Sequence, residues 1–176
     1  MKDTFSIQTK SCNIRCINLS DDKDFLSAMD CPDTASMYGG GFADLSAVHS
    51  YFDVLQNEYK AGKFRTLAIS GVQSDTLIGS ITIDVKRYFP CAELSYWIVK
   101  PYRNKGFMTE VVSAVVKYGF SDLGLVRIQA YHSVENPASG RVLEKAGMTY
   151  EGTLRLYNGR NDEKMYSIIN TDKLPD

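Results

Sequence analysis

The stretch Trp97-Ile98-Val99-Lys100-Pro101-Tyr102-Arg103-Asn104-Lys105-Gly106-Phe107-Met108-Thr109 decides how the chain is read. A strand-like run from Glu93 to Val99 stops at Pro101, and a polar, basic turn with one glycine follows. Beyond it Met108, Val111, Val112, Val115, Val116 and Gly119 recur at helical spacing. Valine-rich propensity leaves a strand open for Val111–Val116, but the length of the run and the stops at Gly119 and Gly124 favour a helix. Strand, basic glycine turn and helix is an arrangement that aims backbone N–H groups at a phosphate. A first helical turn carries donors without helical partners and a partial positive charge, and glycine lets a ligand come close. Arg103 and Lys105 add full charges, so a phosphorylated cofactor is expected here. The same turn would serve equally to start a helix and nothing more. It is neither a P-loop, since Lys105 precedes its glycine, nor a Rossmann turn, since G-x-G-x-x-G is absent.

Working back from this stretch, Phe64–Ser70 and Thr76–Val85 read as a strand pair around Gly71–Asp75, with Ile81, Ile83 and Val85 alternating. Before them a helix runs from about Ala43 to Ala61, with Leu45, Val48, Phe52, Leu55 and Tyr59 on one face and Gly62 as its stop. Cys31–Phe42, with Pro32 and three glycines, reads as a loop. Asp21–Met29 reads as a short helix with Asp or Ser as its cap, and Cys12–Ile17 as a first strand. Working forward, Leu125–His132 alternates as a strand. Asn136-Pro137 is the clearest helix start in the chain, Asn as N-cap and Pro at the first helical position. Ala138, Val142, Leu143 and Ala146 give that helix an apolar face. Thr149–Tyr157 and Glu163–Ile169 close the chain as a hairpin with Asn158-Gly159 at its turn. Helices mixed with a mixed sheet make an α/β domain, expected as one unit over residues 1–176.

The 176 residues suffice for one domain with a real core. A net charge of −1 argues against a nucleic-acid or polybasic membrane role. The polar start Met1–Ser6 does not read as a signal peptide, and no apolar run approaches the roughly 20 residues that cross a bilayer. A cytoplasmic protein is expected. Cys12 and Cys16 on one strand would stand roughly 13 Å apart, too far to share a metal. With only His49 and His132 to help, no metal site is expected, and Cys12, Cys16, Cys31 and Cys91 read as free, largely buried thiols. Asp21, Asp22, Asp24, Asp30 and Asp33 read as a solvated acidic face.

Two ordered motifs carry a resemblance. Arg103-Asn104-Lys105-Gly106-Phe107-Met108 resembles the (R/Q)-x-x-G-x-(G/A) turn of the GNAT acyl-CoA-dependent N-acetyltransferases, departing at Met108, where that family has a small residue. Glu135-Asn136-Pro137-Ala138-Ser139 through Glu144-Lys145-Ala146-Gly147-Met148 resembles the family's N-x-x-(S/A) segment and the L-(E/R)-(K/R)-x-G-F run after it. Tyr150–Arg155 and Tyr166-Ser167-Ile168 are similar to the RimJ/RimL-like branch, which acetylates protein N-termini. The resemblance implies the GNAT fold: a mixed, mostly antiparallel sheet splayed between two parallel strands and flanked by helices. Those strands would be Ala92–Val99 and Leu125–His132.

What the resemblance implies about function is specific. Acetyl-CoA would be the cosubstrate, its pantetheine bonded to main-chain groups at Ile98 and Val99, with an N–H near Val99 facing the acyl oxygen. Its pyrophosphate would lie on Arg103, Asn104, Lys105, Gly106, Phe107, Met108 and Thr109. Asn136 and Ser139 would touch the pantetheine, and the Ser139 hydroxyl would protonate the leaving thiolate. Glu93 would be the base for the attacking amine, directly or through a water. The bland readings remain beside these: Glu93 as a strand-end carboxylate, and Asn136 and Ser139 as a helix cap. Tyr131, His132 and Tyr157 are further candidates. The second carboxylate that some RimL-like enzymes carry before the Tyr-Asn-Gly turn is missing from Leu154–Gly159. The acceptor is expected to be a protein or peptide N-terminal amine. The alternatives are a small amine, such as an amino sugar or polyamine, and a module that binds acyl-CoA without turnover. The resemblance is compatible with a homodimer.

Overall fold

The computed structural model describes residues 5–61, 64–157 and 159–175. Gly62, expected to stop the second helix, and Asn158 of the closing turn lie outside the described residues. The eight strands follow the order β1-β2-β3-β4-β5-β6-β8-β7 in one mixed sheet. They are β1 Ser6–Gln8, β2 Cys12–Cys16, β3 Phe64–Gly71, β4 Leu77–Val85, β5 Cys91–Ile98, β6 Arg127–Ser133, β7 Thr149–Leu154 and β8 Glu163–Ile169. The helices are α1 Asp22–Ala28, α2 Pro32–Ser36, α3 Leu45–Lys60, α4 Phe107–Ser121 and α5 Pro137–Lys145. The mixed, mostly antiparallel sheet with one parallel pair is thus as the motifs implied. The chain divides into two compact units, one comprising residues up to Thr82 with Tyr96–Lys105, the other Ile83–Ser95 with the residues from Gly106 on.

In the first unit β2 pairs antiparallel with β1 and β3, so Ile14 lies opposite both Ile7 and Ile69. The three-residue β1 escaped the sequence reading because it is too short to show an alternation. Arg15 on β2 forks onto Asp21, with two contacts of 2.8 Å to a carboxylate almost wholly out of solvent. The same carboxylate takes the Asn18 N–H at 2.9 Å while the Asn18 side chain takes the Ser20 N–H at 2.9 Å. This reciprocal cap starts a 3-10 turn, Leu19–Asp21, ahead of α1, so the cap is an asparagine upstream of the Asp or Ser expected. The expected loop at Cys31–Phe42 begins instead with α2, because a proline starts a helix at its first turn as readily as it ends one. Gly39, Gly40 and Gly41 then all take positive φ and stop it. Asp44 caps α3 by accepting the Ala47 N–H at 2.9 Å. The core centres on Phe25, ringed by Tyr38, Phe42, Tyr51, Phe52 and Trp97 at centroid distances of 5.2–6.0 Å.

In the second unit Met108, Val111, Val112, Val115 and Val116 of α4 are buried on one face. Burial of that stripe outweighs the mediocre helix propensity of valine, and the strand alternative falls. Gly119 is there for packing: a Cβ would come within 2.6 Å of Ile128 Cδ1 on β6. β6 runs parallel to β5, with Cys91–Glu93 opposite Arg127–Gln129, and antiparallel to β8 along its whole length. β7 pairs with β8 through a bulge between Tyr150 and Gly152 and is shorter than the sequence suggested. The Asn136-Pro137 start of α5 is as expected, and Leu143 of its apolar face is wholly buried.

Candidate active site

The strand-end residue Glu93 projects from β5, its side chain about a fifth exposed at 21%. Because Glu93 lies opposite Gln129 in the parallel pair, residues two apart on β6 share the face it reaches. The Tyr131 phenol donates to Glu93 Oε1 at 3.1 Å and the Gln129 amide to Oε2 at 3.3 Å. Lys86 Nζ stands 4.0 Å from Oε2 and is held by Asp84 at 2.6 Å. That contact with Asp84, then the charge of Glu93, raises the Lys86 ammonium above its ordinary range. Tyr157 packs edge-on against Tyr131, centroids 4.9 Å apart. Burial first, and then the Glu93 carboxylate, pushes the Tyr131 phenol up, so it remains a proton donor through the neutral range. The result is a carboxylate with both oxygens occupied and a fixed cation nearby. Of this set the sequence reading named Glu93, Tyr131 and Tyr157. Gln129 carried only a period-two signal, and Lys86 and Asp84 carried none.

The glycine turn keeps its expected geometry. Lys100–Tyr102 forms a 3-10 turn, Arg103 is extended, and Asn104 and Gly106 both take positive φ, at 60° and 86°. Gly106 is the N-cap of α4, with no side-chain cap bond at that position. A Cβ at Gly106 would meet nothing within 4 Å; the glycine is required by its backbone angle and leaves open space above the turn. Met108 is 6% exposed, its side chain in the core of the second unit, so its size takes no room from the outer face of the turn. Phe107 and Thr109, like Glu110, are partly exposed in the same first turn.

Two features of the first unit bear on what the motifs implied. An N–H near Val99 is expected to face an acyl oxygen, and that of Val99 itself donates to Ile78 C=O at 2.9 Å. The chain needs that donor to hold Val99 against β4, so it is already engaged. Arg103 turns back on its own unit: Nε donates to Ile98 C=O at 3.0 Å, one terminal nitrogen lies 3.6 Å from Cys31 Sγ, and another 4.0 Å from Asp33. Arg103 and Ile98, both expected at the cofactor, are therefore brought together through the Ile98 carbonyl. Cys31 Sγ is in turn lowered from the ordinary thiol range, mainly by the Thr34 N–H. Lys105 lies over the Tyr102 ring, 5.9 Å from its centroid, and Asn104 and Lys105 are exposed.

At the start of α5, Asn136 Oδ1 accepts the Ser139 N–H at 3.3 Å, so cap and serine are adjacent as expected. Asn136 is exposed and Ser139 partly so. His132 is set apart by its burial. It is 6% exposed, Nδ1 bonds to Ser133 C=O at 2.7 Å, and the ring lies against Gly140, where a Cβ would be 2.6 Å from Nε2. That is a packing role, with α5 seated on the imidazole. All four cysteines are free, but only Cys12 is buried; Cys16, Cys31 and Cys91 are partly exposed. Among the described residues no helix is long and apolar enough to cross a membrane, and no group of three or more His, Cys, Asp or Glu could hold a metal.

The sequence profile of the acetyltransferase (GNAT) domain matches residues 13–149, which covers the glycine turn, Glu93 and the start of α5. The chain belongs to the GNAT acetyltransferase family. An uncharacterized N-acetyltransferase of Bacillus subtilis, YoaA, is 46% identical over 82 residues, 44% of this chain and 46% of that one. The chain spans about half the length of the curated relatives it matches first. A GNAT-family acetyltransferase from Bacillus anthracis superposes with a TM-score of 0.81 at 24% identity, covering 94% of this chain and 98% of the other. RimL, a ribosomal L7/L12 α-N-protein acetyltransferase solved with coenzyme A, superposes with a TM-score of 0.79 at 16% identity over 94% of this chain and 98% of its own. At these identities the two structures establish the GNAT fold, with RimL among its bearers.

Proposed function

We propose that this chain is an acetyl-CoA-dependent N-acetyltransferase acting on a primary amine, with the N-terminal α-amine of a protein or peptide as the acceptor. The observation that carries the reading is the Glu93 carboxylate, held by Tyr131 and Gln129 with Lys86 alongside. The chemistry needs such a group. An ammonium must lose a proton before its nitrogen can attack a thioester carbonyl, and a carboxylate kept in one rotamer accepts that proton, directly or through one water. The new C–N bond forms as the C–S bond breaks, the thiolate takes a proton, and one proton is released overall. Ser139, part-exposed beside its cap, relays to the thiolate the second proton that the nitrogen sheds, giving up its own hydroxyl proton and taking that one in its place. The coenzyme's diphosphate is taken by the start of α4, Gly106–Thr109, with Arg103, Asn104 and Lys105 just before it. Asn136 meets the pantetheine through the amide nitrogen that its capping role does not use. Main-chain groups around Ile98 and Val99 flank the thiol arm, but the oxyanion needs a donor other than the Val99 N–H, which is engaged with Ile78.

That engaged donor supports a second reading, a module that holds acyl-CoA without turning it over. Thiol release, measured with purified protein against a panel of peptides and small amines, separates the readings. Acetylation of peptide N-termini that is lost in Glu93→Gln is the expected result. Reaction with amino sugars or polyamines alone would move the acceptor to small amines. Binding of acetyl-CoA with no turnover of any acceptor would leave the module.

A further inference from the structure

The contacts around Glu93 are not equivalent, and their differences single out one side chain. The Gln129 amide approaches Oε2 at 3.3 Å, the long end of hydrogen bonding, and Lys86 stands beyond it at 4.0 Å, drawn toward Asp84 at 2.6 Å. The Tyr131 phenol meets Oε1 at 3.1 Å, equally long for an O–H···O bond, so what separates the two donors is how the phenol is held. The phenol is itself braced, since the Tyr157 ring meets it at 4.9 Å and 69° and restricts its swing. It also remains protonated, as burial and the neighbouring carboxylate both oppose its ionisation. An aromatic side chain with only two side-chain torsions, wedged by a second ring, has little freedom to follow a carboxylate that moves; it fixes the carboxylate instead.

We propose that Tyr131 is the positioning residue of the reaction, holding the Glu93 carboxylate in the rotamer that receives the acceptor's proton, with Tyr157 as its brace. The proposal rests on the reading of Glu93 as base. Tyr131 makes no bond to the reacting atoms and exchanges no proton. Its contribution is that Oε1 is tied, so the carboxylate keeps one orientation and the second lone pair of Oε2, beside the one Gln129 uses, keeps a constant direction toward the amine. Loss of the tie costs rate through misalignment and leaves cosubstrate binding intact.

The test is a double-mutant cycle on the full chain, with kcat and the acetyl-CoA KM measured for wild type, Tyr131→Phe, Glu93→Ala and the pair. Tyr131→Phe is expected to lower kcat about tenfold with the acetyl-CoA KM within about twofold, since small misplacements of a reacting group cost rate out of proportion. Glu93→Ala is expected to keep a small but measurable kcat, and in that background the same substitution is expected to change nothing, because the group it positions has gone. Wild-type kcat in Tyr131→Phe, with Glu93→Ala reduced to a residual rate, overturns the positioning role and leaves Glu93 as base. An equal loss in both backgrounds also overturns it, since Tyr131 would then act by itself or through the fold. Full activity in Glu93→Ala overturns the base assignment and this inference with it. If Tyr131→Phe does not fold, Tyr157→Leu takes its place in the same cycle, with a smaller loss of kcat and the same disappearance expected.

Discussion

The two helices that carry the family motifs begin in opposite ways. α5 starts on Asn136 and Pro137, and the asparagine side chain closes its own first turn onto the Ser139 N–H. α4 starts on Gly106 in the left-handed region, with no side chain to cap it and open space where a Cβ would stand. A capped start satisfies itself and gains about 1 kcal/mol of stability from doing so. A glycine start forgoes that gain and keeps its positive end accessible to an outside anion. The difference separates a start that completes itself from one that leaves room for an outside ligand, although each carries one of the two family motifs.

Substitutions at the two starts sharpen or break this contrast. Gly106→Val should cause the largest effect, a fall in CoA affinity of about thirtyfold or more. A φ of 86° strains a β-branched residue, and its side chain would project into the space the diphosphate needs. Titration calorimetry checks this, and unchanged affinity would make the glycine a purely structural residue. Arg103→Ala should weaken CoA binding by about 1.5 kcal/mol, the low end for a charge-assisted contact, because Nε already serves Ile98 and a terminal nitrogen lies near Cys31. A loss beyond about 3 kcal/mol would mean that the guanidinium abandons those partners on binding. Asn136→Ala should act mainly on stability, about 1 kcal/mol, with the thermal midpoint falling by about 2–4 °C and CoA affinity by no more than about fivefold. A larger loss of affinity than of stability would place α5 on the ligand side of the contrast.

The starts of both helices were legible in the sequence because their signals are local. An Asn-Pro pair before an apolar stripe, and a glycine between basic residues, act through the chain's next few residues. The buried valine stripe of α4 was legible in the same way, its period surviving the poor propensity of its residues. What escaped were features set at long range. Tyr131 was a candidate, but its contact with Glu93, like that of Gln129, spans 38 and 36 residues respectively, and only the parallel register of β5 and β6 makes it. Arg103 finds Cys31 across 72 residues, and no local pattern forecasts that a phosphate-type arginine would be partly engaged by a thiol. The partner of the Val99 N–H was out of reach for a related reason, since a strand's outward donors depend on which neighbour pairs with them. Pro32 was misread because proline both opens and closes helices, and only the chain around it settles which.

Amide hydrogen exchange with and without coenzyme A bears most directly on the claim that the uncapped helix start receives the diphosphate. Binding should slow exchange at Gly106–Thr109 more strongly than at the Asn136–Ser139 start, because the first set acquires new acceptors while the second already includes a side-chain cap. Saturating coenzyme A that leaves Gly106–Thr109 exchanging at the unliganded rate, or protects only residues elsewhere, would contradict the account.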